Sequence, residues 1–150
     1  MPSILDVKDA LRARLDALDI KQRWHGDDDN GPLPDKPEDF AYMVFDNFGS
    51  RPGPVAFGGG LGNNIYRSTA ILTAIVFVPN HAGMRHAEEE GETIAALMRS
   101  YRDAVIFCKS ADVKDVGDGA SIAPPGLQRN ELNNYLCAIV EVDVSFDQTG

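Results

Sequence analysis

"IYRSTAILTAIVFVPNHAGMRHAEEEGETIAALMRSYR", residues 65–102, carries two different periodicities on either side of one proline. Residues 65–78 are rich in isoleucine, valine and threonine and read as a strand, because β-branched side chains suit a pleated, half-buried surface. After Pro79 and a short loop, Met84, Ala87, Ile94, Leu97, Met98 and Tyr101 fall on one side of a helix running from about residue 84 to 102. Its charges agree with its direction, with Glu88, Glu89, Glu90 and Glu92 in the first half and Arg99 and Arg102 at the end. Gly91 inside it costs about 1 kcal/mol relative to alanine and so marks close packing. The pair predicts a crossover helix, or one laid across a sheet face.

Working outward, "FAYMVFDNF" (40–48) is a second strand. It is joined to the first by "GSRPGPVAFGGGLGNN" (49–64), which holds six of the fourteen glycines. With no helical pattern in that link, an antiparallel hairpin with a long, mobile tip is the simplest connection. Downstream, "AVIFCKSADVKDVGDG" (104–119) offers one short strand or two, and "APPGLQRNELNN" (123–134) is a loop. In the closing "YLCAIVEVDVSFD" (135–147), Leu136, Ala138, Val140, Val142, Val144 and Phe146 alternate with Cys137, Ile139, Glu141, Asp143 and Ser145. One face of this strand is apolar and the other turns polar toward its end. At the front, Ser3 is an N-cap and Ile4, Val7, Leu11, Leu15 and Leu18 form the stripe of an amphipathic helix. A proline- and acid-rich connector, residues 26–39, follows it. The sum is an α+β fold in the order α-β-β-α-β-β, with two helices on a four-stranded sheet, largely antiparallel or mixed, in one domain spanning 1–150.

The chain has 150 residues, 43% of them hydrophobic, and a net charge of -9. That balance argues against tight nucleic-acid binding, which rests on Lys and Arg displacing counterions from phosphates. Cys108 and Cys137 lie in apolar, strand-like stretches and suggest buried thiols, with neither a zinc pattern nor a disulfide framework. The first residues lack the apolar core of a signal peptide, and the longest apolar run, 74–79, is far too short for a bilayer. The expectation is a soluble protein without membrane contact.

The glycines fail the phosphate-binding templates. From Gly58 and Gly60 the third dinucleotide position is Asn63, and a strand follows where a helix is needed. Gly53 and Gly58 have P-loop spacing, yet Gly59 and Gly60 stand where lysine and a hydroxyl should be. A calcium loop counted from Asp27 reaches Glu38 at position 12 but puts Gly31 at position 5 and Pro32 at position 6. His81 and His86 are misaligned for a helical metal site; His86 and Glu90 would align, and are read as surface residues. His25, Ser68 and Ser121 show no context of activation, and no cysteine adjoins a histidine. No catalytic residue, cofactor or metal is therefore expected, and the prediction is a protein that works by contact.

This ordering resembles the tail terminator proteins of long-tailed phages, prophages and gene transfer agents, including related phage domains of unknown function. The residues that carry the likeness are the N-terminal helix, the Trp24 segment, the glycine-tipped hairpin, "TAILTAIVFVPNHAGMRHAEEEGETIAALMRSY" and the last alternating strand. The resemblance implies a virion structural protein that forms a homo-oligomeric ring, usually a hexamer, on the head-proximal end of a tail tube. It would stop tube polymerisation and meet the tail tube protein on one side and a head completion protein on the other. DNA would pass through without sequence-specific binding, in a particle assembled in the host cytoplasm. The family carries no sharp motif, so no functional residue transfers by name.

The hairpin tip fits an arm that orders on a neighbouring subunit, with Phe57, Gly58, Gly59, Gly60, Leu61, Gly62, Asn63 and Asn64 as the candidate contact loop. An acidic lumen would let DNA slide, and the net charge is compatible with one. The alternatives are a head completion or stopper protein of the same connector region, a small cytosolic ligand-binding module or enzyme, and a dimeric regulatory module.

Overall fold

A computed structural model describes residues 3–27, 31–47, 54–56 and 65–149. Ser3 opens helix α1, Ile4–Leu15, through a capping box in which its hydroxyl accepts from the Asp6 backbone N–H at 3.2 Å and Asp6 accepts from the Ser3 N–H at 2.8 Å. Val7, Leu11 and Leu15, four residues apart, are the buried stripe. Leu18 lies beyond the helix end and packs on the core from the following turn.

The strands are β1 (Lys21–Trp24), β2 (Phe40–Asn47), β3 (Pro54–Ala56), β4 (Ile65–Pro79), β5 (Phe107–Asp118) and β6 (Tyr135–Thr149). They form one mixed sheet in the order β1-β2-β4-β6-β5, with the three-residue β3 added on β4. Only β1 with β2 is parallel. The expected hairpin is there, with Phe40 opposite Phe77 and Asn47 opposite Ala70.

The four-stranded expectation is corrected by β1 and β3. β1 escapes notice because "KQRW" is short and polar, and one of its two buried members is an arginine. Arg23 is 3% exposed, donates to the carbonyls of Gly31 (2.8 Å) and Pro32 (3.1 Å), and stacks over Phe40. A cation whose two terminal nitrogens reach carbonyls, with its Nε left unpaired, and whose plane meets an aromatic face is a core residue that a search for apolar alternation passes over. β3 sits inside the stretch expected to be all turn.

Helix α2, Met84–Met98, joins β4 to β5. Both strands run antiparallel to β6, which lies between them, so α2 is a crossover between parallel strands with a third strand inserted. It buries Ala87, Gly91, Ile94, Ala95 and Met98. Gly91 marks close approach as expected: a Cβ there would meet Val113 Cγ2 at 3.3 Å, Ala138 Cβ at 3.4 Å and Val140 Cγ2 at 3.5 Å. The helix stops at Met98, short of residue 102, where Ser100 takes φ 59°. Met84, expected on the apolar side, is 37% exposed at the helix start.

The face of the sheet under α1 and α2 is apolar from end to end, with Met43, Leu72, Val76, Val140, Val142 and Val144 all buried. Arg14 ties the two helices by donating to the Leu97 carbonyl at 2.8 Å and stacking on Tyr101. The described residues cover the opposite face at one end only. There Phe40 stacks on Phe77 at 4.9 Å, Tyr135 meets Phe40 edge-on at 5.4 Å, and Ile122, Leu127 and Leu132 close over them from residues 119–134. No helix among the described residues is long and apolar enough to cross a membrane.

Candidate functional site

Alternation along β4 and β6 decides what the uncovered half of the sheet presents. Past Ile75 and Ile139, the side chains on that face are Thr73, Ile71, Thr69 and Arg67 from β4, facing Glu141, Asp143, Ser145 and Asp147 from β6. Asp46 of β2 lies opposite Ile71, and Asp112 of β5 opposite Glu141. The result is an open, acidic surface across four strands. Arg67 is its one cation among these positions, held to Asp147 by two bonds of 2.9 and 3.3 Å, while Ser110 donates to Asp143 at 2.9 Å. The polar turn read in "VEVDVSFD" is thus the edge of this surface.

The face leads to the far end of β4, where Ile65 pairs both with Thr149 of β6 and with Ala56 of β3. The chain therefore leaves and re-enters the sheet at one point. The expected contact loop itself, Phe57, Gly58, Gly59, Gly60, Leu61, Gly62, Asn63 and Asn64, lies outside the described residues.

Two open grooves flank the core. One, of about 500 Å3, runs beside this end of the sheet between Arg67, Arg102, Asp103, Val105, Phe107 and Asp147. In it Arg67 pairs with Asp147, Arg102 stacks on Phe107, and Asp103 accepts from the Val105 and Ile106 amides and from the Tyr101 hydroxyl, while Lys109 also lines it. Burial would push the Asp103 carboxyl up, but these three hydrogen bonds outweigh it and hold it below the usual range. The second, of about 460 Å3, lies between α1 and β1, where Arg12 grips Asp27 at 2.9 and 3.0 Å and stacks on Trp24. Asp27, position 1 of the rejected calcium loop, is committed to that ion pair.

Cys108 and Cys137 are buried free thiols on opposite faces of the sheet, and burial pushes them up to about 12 and about 11. Ser68 is buried in β4 and Ser121 is exposed. His81 is exposed in a one-turn 3-10 helix, Asn80–Ala82, and His25 lies 3.2 Å from the Tyr42 hydroxyl, which donates to the Pro125 carbonyl.

His86 behaves differently. Its Nε2 lies 2.7 Å from Asp39 Oδ2, and the aligned Glu90 adds a third donor, all three ligand atoms within 4.8 Å of one another. The bond to Asp39 is the main cause that raises the His86 pKa, with Glu90 and Glu89 adding to it. Asp39, 47 positions from His86, is the member that sequence spacing could not supply.

Fold and surface together define an α+β domain with one helix-covered sheet face and one acidic face that the described residues leave half open. Comparison with models of known protein families gives no match, and neither does a search of curated proteins.

Proposed function

We propose that the chain is a ring-forming structural subunit of a phage-type tail, placed at the head-proximal end of the tail tube, where it ends tube growth and joins tail to head. The observation that carries this reading is the acidic half of the sheet that no described residue covers, running out to Ile65, where β4 begins beside Ala56 of β3 and Thr149 of β6. An antiparallel sheet leaves a polar face open to water or to a partner, and a ring subunit would turn such a surface toward a neighbour or a lumen. Carboxylates there repel phosphate, so DNA moving past would meet little friction. The two grooves are open rather than enclosed, and a shallow groove holds a small substrate poorly, which favours contact over catalysis. The finer geometry of the proposal is a hexamer in which the hairpin tip reaches a neighbouring subunit.

Solution mass over a range of concentrations, with negative-stain images of the same sample, tests this. Rings near 98 kDa, six times the 16.3 kDa chain, support it. A stable dimer without rings overturns it in favour of a two-fold module. If the protein stays monomeric, the reading requires it to cap purified tail tubes, and failure to do so refutes it; binding to the head connector alone would instead mark a head completion protein.

A further inference from the structure

We propose that Asp39, His86 and Glu90 form a binding site for a divalent transition cation, zinc before others, which clips the entry of β2 to the start of α2. This goes beyond the tail reading and does not depend on it.

The donor set is one imidazole nitrogen and two carboxylate oxygens, atom types that zinc accepts, with a fourth position left to water, and the imidazole favours a transition cation over magnesium or calcium. His86 and Glu90 are four apart on α2, so they share one face of the helix, and the turn that carries them is fixed from behind by buried Ala87 and Gly91. Asp39 is held from the other side. The next residue, Phe40, is locked into the ladder opposite Phe77 and stacked on its ring. Two ligands therefore come from α2 and the third from the connector residue directly before β2, whose neighbour Phe40 the core already positions.

The distances leave little to adjust. A tetrahedral ion bonded at about 2.0–2.2 Å holds its donors roughly 3.3–3.5 Å apart. The three donor atoms lie within 4.8 Å of one another, so the widest gap closes by no more than about 1.5 Å, and the 2.7 Å contact of His86 with Asp39 opens by about 0.6 Å. Rotation of exposed carboxylates covers both changes. His86 and Asp39 side chains are 34% and 36% exposed, enough to admit an ion and keep a water on it.

Electrostatics asks for a cation. Arg85, the nearest base on the helix, is taken by Glu89 at 3.1 Å. Among the described residues, the Glu90 carboxylate accepts no hydrogen bond and enters no salt bridge, although it faces the imidazole. Two carboxylates thus converge on one imidazole, and an ion of charge +2 balances them where a proton balances only half.

The test is calorimetric titration of the chelator-stripped protein with zinc chloride, alongside magnesium chloride, and thermal unfolding with and without zinc. Expected are one zinc per chain at micromolar affinity, no comparable magnesium binding, and a rise in Tm of about 5–10 °C at a hundredfold excess over Kd. Glu90→Gln keeps the His86–Asp39 contact and the metal-free Tm, and weakens zinc binding at least about tenfold; His86→Ala removes the site. X-ray absorption at the zinc edge should show one nitrogen and two protein oxygens. Absence of stoichiometric binding, or Glu90→Gln and His86→Ala chains that hold zinc as tightly as the parent, would overturn the proposal, the latter by placing the ion elsewhere on this acidic surface.

Discussion

Replacing Gly91 by valine tests how closely α2 lies on the sheet. A Cβ at this position would meet Ala138 and Val140 at 3.4 and 3.5 Å, ordinary contact, and Val113 at 3.3 Å, which is tighter and asks Val113 to shift slightly. Alanine therefore just fits. It gains about 1 kcal/mol of helix propensity and gives back a similar amount in small shifts of Val113, so Gly91→Ala should leave stability within about 1 kcal/mol of the parent. Valine adds two methyl groups to a space that β5 and β6 already fill. Overpacking of this kind costs about 1–3 kcal/mol, and the propensity of valine over glycine returns only about 0.3–0.5 kcal/mol. The net expectation is a loss of roughly 1–2.5 kcal/mol, read as a Tm lower by about 2–10 °C. Urea unfolding followed by the fluorescence of Trp24, the only tryptophan and 7% exposed, measures it independently. A valine variant as stable as the alanine variant would mean that α2 does not sit at this distance from β5 and β6, and the crossover packing described above would fail.

Three further outcomes follow from single groups. Asp103 is held ionised by three donors, so its contribution is present above the ordinary carboxylate pKa of about 3.9 and disappears as pH falls through its lower folded value; Asp103→Ala should cost about 2–3 kcal/mol at pH 7 and flatten the acid limb of the stability curve, and an unchanged limb would refute the assignment. With thiols at about 12 and about 11, Cys108 and Cys137 should resist iodoacetamide at pH 8 in the native protein and react fully in urea, as mass spectrometry would show; rapid native alkylation of either would contradict its burial. Arg12→Ala loses the two-pronged bond to Asp27 and the stacking on Trp24, with an expected cost of about 1 kcal/mol given that Arg12 is 40% exposed, and urea midpoints identical to the parent would refute a role for that pair.

How far the sequence carried depended on whether a periodicity was left intact. The odd–even register of β6, the stripe of α1, the Ser3 cap, the β2–β4 hairpin and the tight approach at Gly91 were all legible, because each rests on local spacing. β5 read as one strand or two since its pairing with β6 shifts between Cys108 and Ser110 and again between Val113 and Asp115; each irregularity breaks the period of two that a strand should show. β1 was hidden by the charge of Arg23. The acidic surface was half visible in the polar residues of β6, but its other contributors, Asp46 and Asp112, join it only through lateral pairing. Asp39 looked like one more acid in a connector until the strand that follows it brought it against α2.

The placement of β6 also sets a timetable. This strand, the last of the described elements in the chain, lies between β4 and β5 and pairs with both along nearly its whole length. As the polypeptide emerges from the ribosome, β2 and β4 can zip together at once, but β4 then waits with its other edge unpaired until some 55 further residues have been made, several seconds at ordinary rates of synthesis. During that interval the apolar flank of the hairpin is open to other nascent chains, and closing the sheet requires a strand to insert between two that are already present. Folding should accordingly be slow and dominated by distant contacts, and the yield of native protein should depend on the arrival of β6 more than on that of the elements made before it.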